Sequence, residues 1–199
     1  MKKIVLSLAA VLAFGFANAQ DKKENSGEGF GKGDIFLSGG LSFGSESTGD
    51  VKSSTFTFSP AIGFFVANNI AVGARLDLTT GTEEQPLVED IKMNNFNGEV
   101  FGRYYFTPAS KFSVFGELAV GFGSNKTEQG PIEAKSSTFG VNAGVGINYF
   151  LSNHWSIEAG WAGLGYNSND NGGDGAEATN TFGLAVDLSS INFGLNYKF

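Results

Sequence analysis

The chain has 199 residues, a formal net charge of −7, 29 glycines, 20 phenylalanines and no cysteine. The acidic balance excludes a typical nucleic-acid partner, because phosphate contacts need a surface rich in Lys and Arg. The lack of cysteine excludes a disulfide framework and thiolate metal sites. Charged residues make up only 17% of the chain, below the roughly 25% of a typical soluble domain, which favours a β protein with little charged surface.

The first nineteen residues have the pattern of a secretory signal peptide. A basic start, Met1-Lys2-Lys3, precedes a thirteen-residue apolar run over 4–16. The small residues Ala17 and Ala19 then form a cleavage motif before Gln20. No later stretch approaches the roughly 18 apolar residues of a membrane-spanning helix. We therefore predict an exported protein without a transmembrane helix.

Residues 20–33 are polar, rich in glycine and without periodicity, and they predict a flexible periplasmic leader.

From residue 34 to residue 199 apolar residues recur with period two, which is the pattern of β-strands. We count eight strands and predict an all-β, eight-stranded antiparallel up-and-down transmembrane β-barrel. Pro60 predicts irregular pairing or a bulge, and a phase shift at Ser189-Ser190 predicts a one-residue β-bulge in the last strand.

The connections between the predicted strands alternate in length along the chain. Three short turns are predicted at 67–69, 107–111 and 151–154, and four longer loops at 45–53, 80–94, 124–136 and 167–180. Short turns on one side and long loops on the other are typical of outer-membrane barrels.

The two faces of the strands differ in charge. The apolar phase of the strands carries no charged residue, and the opposite phase carries Arg75, Asp77, Glu99, Arg103, Glu117 and Glu158, with Asp187 beyond them. If the apolar phase faces lipid, these charges face the lumen and can pair there. We predict an ion-pair network of the first six, with Asp77 and Glu99 one layer above the other four.

Aromatic residues are predicted both inside and outside the barrel. Eight strands leave a lumen wide enough only for side chains, and the inward phase supplies Phe36, Phe65, Phe101, Tyr105, Phe115 and Phe150. The outward phase at the short-turn ends supplies Phe64, Tyr104, Phe106, Phe112, Tyr149, Trp155, Tyr197 and Phe199. The inner set predicts a plugged lumen, and the outer set predicts an interfacial girdle.

Three segments carry a resemblance to a known family: 60–66 before the Asn68-Asn69 turn, 102–106, and the C-terminus from Asn192. Over residues 34–199 the chain resembles the small outer-membrane β-barrel proteins of Bacteroidota, similar in architecture to OmpX and the OmpA transmembrane domain. The resemblance implies that Asn192, Gly194, Tyr197 and Phe199 form the C-terminal signal read by the barrel assembly machinery.

No constellation predicts catalysis, a cofactor or a metal. The one histidine, His154, lies in a predicted turn, and the Asp/Gly-rich segment 169–175 does not follow the EF-hand pattern. The four predicted loops hold eleven acidic residues and four lysines. These acidic loops could bind divalent cations or an unknown surface ligand.

We therefore predict a monomeric, non-enzymatic protein in the bacterial outer membrane, in contact with outer-membrane lipid and with both termini in the periplasm. Its plugged lumen favours a structural or surface-interaction role through four extracellular loops. The alternatives are a narrow gated ion pore, a barrel enzyme acting on lipid, and a soluble periplasmic ligand-binding β-barrel.

Overall fold

The computed structural model describes residues 27–86, 88–173, 175–186 and 192–199. The predicted cleavage residues Ala17, Ala19 and Gln20 lie outside the described residues, as do Asp187 and the Ser189-Ser190 pair. Among the described residues, no helix is long and apolar enough to cross a bilayer.

The described chain forms one antiparallel barrel of nine hydrogen-bonded segments. They are β1 (Ile35–Thr48), β2 (Val51–Phe65), β3 (Ile70–Glu84), β4 (Ile91–Tyr105), β5 (Phe112–Gln129), β6 (Ile132–Phe150), β7 (Trp155–Asn169), β8 (Thr179–Val186) and β9 (Asn192–Lys198). Each strand from β1 to β7 pairs with the next, and β8 and β9 pair with successive parts of β7. β8 and β9 together occupy the eighth strand position of the barrel. β9 closes the barrel by pairing with β1, for example at Phe36↔Lys198. The predicted eight-stranded architecture is confirmed.

The three predicted short turns are present at one end, which we call the lower end. They join Phe65 to Ile70, Tyr105 to Phe112, and Phe150 to Trp155. The chain's last residue, Phe199, lies at the same end, where its amide donates to the Ile35 carbonyl. The opposite end, with the β-hairpin tips, is called the upper end.

Two of the four predicted upper loops are corrected by the structure. β1 pairs with β2 up to Thr48↔Val51, and β5 pairs with β6 up to Gln129↔Ile132, so each hairpin ends in a two-residue turn. Gly49 and Gly130 occupy the first turn position with positive φ, as a type II′ turn requires. The polar residues that we predicted as loops instead continue the strands, because each of them pairs with a residue of the neighbouring strand up to the turn. The other two predicted loops, 80–94 and 167–180, are longer connections but are shortened to 85–90 and 170–178.

Within the described strands the pairing is irregular at two places. Opposite β3, pairing stops at Phe58↔Leu78 and resumes at Ala61↔Arg75 without a register shift, as Pro60 predicted. Between β6 and β7 the register shifts at Val145/Gly146, a bulge that the sequence did not predict. Along β7, Ala162 pairs with Val186 and Gly160 pairs with Asn192, so β8 and β9 pair with successive parts of the same strand. The one-residue bulge predicted at Ser189-Ser190 lies outside the described residues.

The two faces of the sheet are those that the alternation predicted. On the outer face Val100 is 64% exposed, and Leu118 and Phe122 are exposed with it. All six predicted inward rings are buried, at 5% exposure or less. The outer face is therefore an apolar surface matched to lipid, and the aromatic side chains pack inside.

Residues 27–33, the last part of the predicted flexible leader, are held against the lower end. Phe30 is 3% exposed and donates its amide to the Pro108 carbonyl at 2.7 Å. This segment therefore packs against the barrel. Burial of the Phe30 ring and hydrogen bonds to the turns supply the free energy that orders it.

Candidate functional site in the lumen

Two arginines form the centre of the lumen. Arg75 lies on β3 and Arg103 on β4, both on the inward phase, and the Arg103 side chain is 3% exposed. Glu117 on β5 accepts from both: Arg75 Nη2 lies 3.0 Å from its Oε1, and Arg103 Nε donates to its Oε2. One carboxylate therefore joins the two guanidinium groups.

The ion-pair chain extends in both directions from this centre. Arg75 Nη1 lies 3.1 Å from Glu99 Oε2, and Arg103 Nη1 lies 2.7 Å from Glu158 Oε2. The order Glu99–Arg75–Glu117–Arg103–Glu158 alternates negative and positive charges. Because β3 and β7 occupy opposite positions in an eight-stranded barrel, the chain of ion pairs crosses the lumen from wall to wall.

The structure brings five of the six predicted network residues together and places Asp77 at their upper edge. The predicted height of Glu99 is corrected, because Arg75 and Glu99 are direct cross-strand partners at one level. Asp77 pairs in register with Asn97, whose amide donates to Asp77 at 3.5 Å and to Glu99 at 3.2 Å. Asp77 is thus linked to the network through Asn97.

Aromatic rings support the Arg103 guanidinium. Its Cζ lies 4.5 Å from the Phe115 ring centroid and 4.9 Å from that of Phe101. Tyr105 Oη accepts from Arg103 Nη1 at 3.3 Å. Cation–π contacts are strongest where the cation is desolvated. The rings thus hold a buried charge in place while filling the space around it.

A buried amide cluster, not singled out from the sequence, supports Glu158. Asn196 Nδ2 donates to Glu158 Oε2 at 3.1 Å and to Asn148 Oδ1 at 3.1 Å, and Ser156 Oγ donates to Asn148 Oδ1 at 2.9 Å. Asn148, Ser156 and Asn196 are each at most 1% exposed. Their inward phase was the available signal, because each alternates with outward apolar neighbours.

A polar chamber of about 200 Å³ lies above the network. Its walls include Asp77, Asn97, Asn142 and Asn167, with glycines at positions such as 121 and 140. A Cβ at Gly121 would lie 2.7 Å from Glu99 Cγ, so the absent side chain leaves room for the network carboxylate. The upper lumen therefore contains open space with polar walls, unlike the ring-filled lower part.

The residues of the predicted assembly signal lie on β9 and at its end. Tyr197 contacts the rings of Trp155 and Phe199 at centroid distances of 5.0 and 4.9 Å. Gly194 pairs with Glu158, and a Cβ there would lie 3.0 Å from Glu158 Cγ. Asn192 begins the strand. Gly194 therefore has a packing role next to the network as well.

Polar contacts connect the described residues of the upper end. Among the described residues, no group of three or more His, Cys, Asp or Glu side chains could hold a metal ion. Asp170 follows β7, and its Oδ1 accepts from the amides of Ser137 (2.7 Å) and Gly172 (3.1 Å). These backbone hydrogen bonds hold the pKa of the Asp170 carboxyl below its usual value.

Residues 6–199 match the sequence model of the family described as "Outer membrane protein beta-barrel domain". Together with the closed barrel and its apolar outer face, this match shows that the chain belongs to that family of outer-membrane proteins.

Solved structures show the same fold. The outer membrane protein OprG from Pseudomonas aeruginosa is similar with a TM-score of 0.54 at 18% identity, over 87% of this chain and 99% of that chain. Ail, the attachment invasion locus protein of Yersinia pestis, is similar with a TM-score of 0.50 at 16% identity, over 84% and 99%. No curated protein sequence matches this chain.

Proposed function

We propose that this protein is a monomeric, non-enzymatic outer-membrane barrel that blocks its own lumen and presents its upper end as an interaction surface. The observation that carries the proposal is the ion-pair chain from Glu99 to Glu158, which crosses the lumen above a set of buried rings. Its most buried member, Arg103, has all its partners inside the barrel. A transport path would have to break these contacts.

The proposal includes an orientation. Outer-membrane barrels have short turns on the periplasmic side and longer connections outside. The lower end would therefore face the periplasm with both termini, and the upper end would face the medium. The finer likeness to Bacteroidota barrels, OmpX and the OmpA transmembrane domain stays a prediction, as does recognition of the C-terminus by the assembly machinery.

The upper end offers a charged, polar surface to a partner. Lys126 lies between Glu128 and Glu133, with nitrogen–oxygen distances of 2.6 and 2.9 Å, and Lys135 also pairs with Glu133. The loop at 85–90 adds Glu89 and Asp90 beside Glu128 and Gly130. The excess of acidic groups favours a cationic ligand or bridging divalent cations over an anionic one.

A narrow ion pore is the second candidate, and the polar chamber above the network favours it. The walls of the chamber are polar, and the Arg75 side chain next to it is 24% exposed. A pore would need a path past Arg103, however, and that side chain is enclosed by rings.

The proposal is tested by membrane fractionation, surface proteolysis of intact cells and a solute-flux assay in vesicles. The expected result is an outer-membrane protein cleaved from outside only at its upper end, with no flux above empty vesicles. Release into the aqueous fraction by osmotic shock would support a soluble carrier. Flux would support the pore, and turnover of lipid by the purified protein would support an enzyme; each of these results contradicts the proposal.

A further inference from the structure

A short segment before β1 crosses the lower end of the barrel. We call residues 27–34 the N-terminal strap. Gly33 donates its amide to the Phe65 carbonyl at 2.7 Å, and Phe65 donates back to the Asp34 carbonyl at 2.9 Å. With the bond from Phe30 to Pro108, the strap is tied to the end of β2 and to the β4–β5 turn. It therefore spans the opening instead of leading away from it.

The Phe30 ring occupies the middle of this opening. It stacks on Phe65 at a centroid distance of 4.6 Å and meets Phe150 edge-on at 4.8 Å. Phe36 and Tyr105 each lie 5.5 Å away. These four partners come from β1, β2, β4 and β6, on different sides of the lumen. One ring thus fills a gap that the strand residues leave between them.

Two lysine side chains also bind the strap, in addition to the ring contacts of Phe30. Lys198 Nζ donates to the carbonyls of Gly27 (3.0 Å) and Gly29 (2.7 Å), and Lys111 pairs with Glu28 at 2.9 Å. Gly29 has φ +130°, and a Cβ there would lie 2.6 Å from the Ala109 carbonyl carbon. The strap is therefore fitted to the turn in a way that only glycine permits at that position.

Two features make this segment a closing element rather than a part of the wall. It lies outside the strand ladder, so its removal leaves the hydrogen bonds between strands in place. Its binding site includes Phe36 of β1 and Lys198 of β9, which come together only when the barrel closes. The strap can therefore dock completely only on a closed barrel.

We propose that the N-terminal strap is a built-in plug of the lower end, a seal separate from the ion-pair network and releasable without unfolding the barrel. The lumen then has two closures in series, Phe30 below and the arginine network above. Release of the strap alone would expose the lower lumen to solutes on that side. This inference rests on the proposed function in one respect, because an open ion-pair network would let solutes reach the lower lumen from above.

A single thiol inside the lumen tests the plug, because the chain has no cysteine of its own. Ala71 is fully buried on the inward face of β3, where it pairs with Phe65 and Arg103. Ala71→Cys places a small reporter there. Its rate of reaction with a polar maleimide is measured on the full chain refolded in vesicles, together with the heat-dependent gel mobility that marks a folded barrel.

Phe30→Ala is expected to accelerate labelling of Ala71→Cys by at least about tenfold, because it removes the buried ring that fills the opening. Lys32→Ala changes an exposed strap residue and is expected to leave the rate unchanged. Equal rates with and without Phe30 in folded protein would overturn the proposal, as would fast labelling of Ala71→Cys alone.

Lys198→Met provides a second variant if Phe30→Ala does not fold. It removes the donor to the Gly27 and Gly29 carbonyls but keeps the ring. The proposal expects faster labelling of Ala71→Cys here too, with a smaller increase than for Phe30→Ala. An unchanged rate in folded Lys198→Met protein would contradict the role of Lys198 as the anchor of the plug.

Discussion

Arg103 on β4 and Glu158 on β7 meet inside the barrel, with 2.7 Å between Nη1 and Oε2, although they are 55 residues apart in the chain. Three strand positions separate them around the wall, so the pair reaches across the lumen. Asn196 of β9 holds the same Glu158 oxygen at 3.1 Å. The contact therefore connects the middle of the chain to the strand that closes the barrel.

Replacing Arg103 by Met is expected to destabilise the folded barrel. The change leaves Glu158 and part of Glu117 without their cation, and loss of one partner of a buried pair costs about 3–5 kcal/mol. We expect a cost in the lower part of this range, because the network lies next to a polar chamber rather than in a fully apolar core. The measurement is the urea midpoint of protein folded in detergent.

The matched control for that variant is Val100→Ala, on the outward face of the same strand. It removes two methyl groups and is expected to cost about 1.5 kcal/mol or less. A midpoint for Arg103→Met equal to that of the unchanged protein would show that the ion pairs add no stability.

A methyl group at Gly63 is expected to destabilise the lower lumen. A Cβ there would overlap the ring of Phe36, which is fully buried. Overpacking of this kind costs about 1–3 kcal/mol. Gly63→Ala should therefore lower the urea midpoint.

Gly102→Ala is the control for Gly63→Ala, since nothing lies within 4 Å of a Cβ at that position. It should change the free energy of unfolding by no more than about 0.5 kcal/mol. Similar losses for both glycines would contradict the packing of Phe36 against β2.

The orientation of the barrel is tested with an epitope inserted after Glu84, at the upper end of β3. The proposed topology places it outside the cell, so an antibody should bind it on intact cells. An epitope in the lower turn after Ala109 serves as the control and should be detected only after rupture of the outer membrane. The reverse pattern would contradict the orientation.

Deletion of Phe199 is expected to affect insertion in cells more than refolding in detergent. The resemblance of the C-terminus to an assembly signal implies that Phe199 is read before folding, and in the folded barrel its amide bonds to Ile35. The measurement compares the membrane-inserted fraction in cells with the refolded yield of purified chain. Phe182→Ala, which removes an exposed outward ring of β8, is the control. Normal insertion of the truncated chain would contradict the assignment.

The upper loop after β7 should respond to acid through Asp170. Its pKa is lowered by the Ser137 and Gly172 amides, so the stabilisation from these bonds is complete above the ordinary Asp pKa of about 3.9. It is lost as the pH falls through the lower, folded pKa. NMR shifts of the two amides should therefore titrate with a midpoint below about 3.9. A midpoint at or above that value would contradict these hydrogen bonds, and Asp170→Asn should abolish the titration.

Alternation was sufficient to predict the barrel and the faces of its strands. Val100 and Phe101 are neighbours in sequence, and the structure places one toward lipid and the other toward the lumen. Counting residues from the turns did not predict which residues lie at the same height in the barrel. Strands in a barrel are staggered by its shear, so Glu99 lies level with Arg75 although it is further from its own turn.

The strap was not predicted because its composition resembles that of a linker. Phe30 stands among glycines and charged residues, without the period that marks a strand. A solitary aromatic residue in a polar segment was the available signal. The inward position of Lys198 could have been predicted from the sequence. Lys198 alternates with the outward rings Tyr197 and Phe199 and must therefore point inward.

Single-channel conductance in planar bilayers shows whether the ion-pair chain seals the lumen. The unchanged protein is expected to show no steady open level, and Val100→Ala should behave in the same way. Arg103→Met is expected to produce measurable openings, more frequent when combined with Phe30→Ala. A steady open level in the unchanged protein would contradict a sealed lumen. The ion-pair chain would also not be the seal if the fully folded Arg103→Met/Phe30→Ala variant showed no openings.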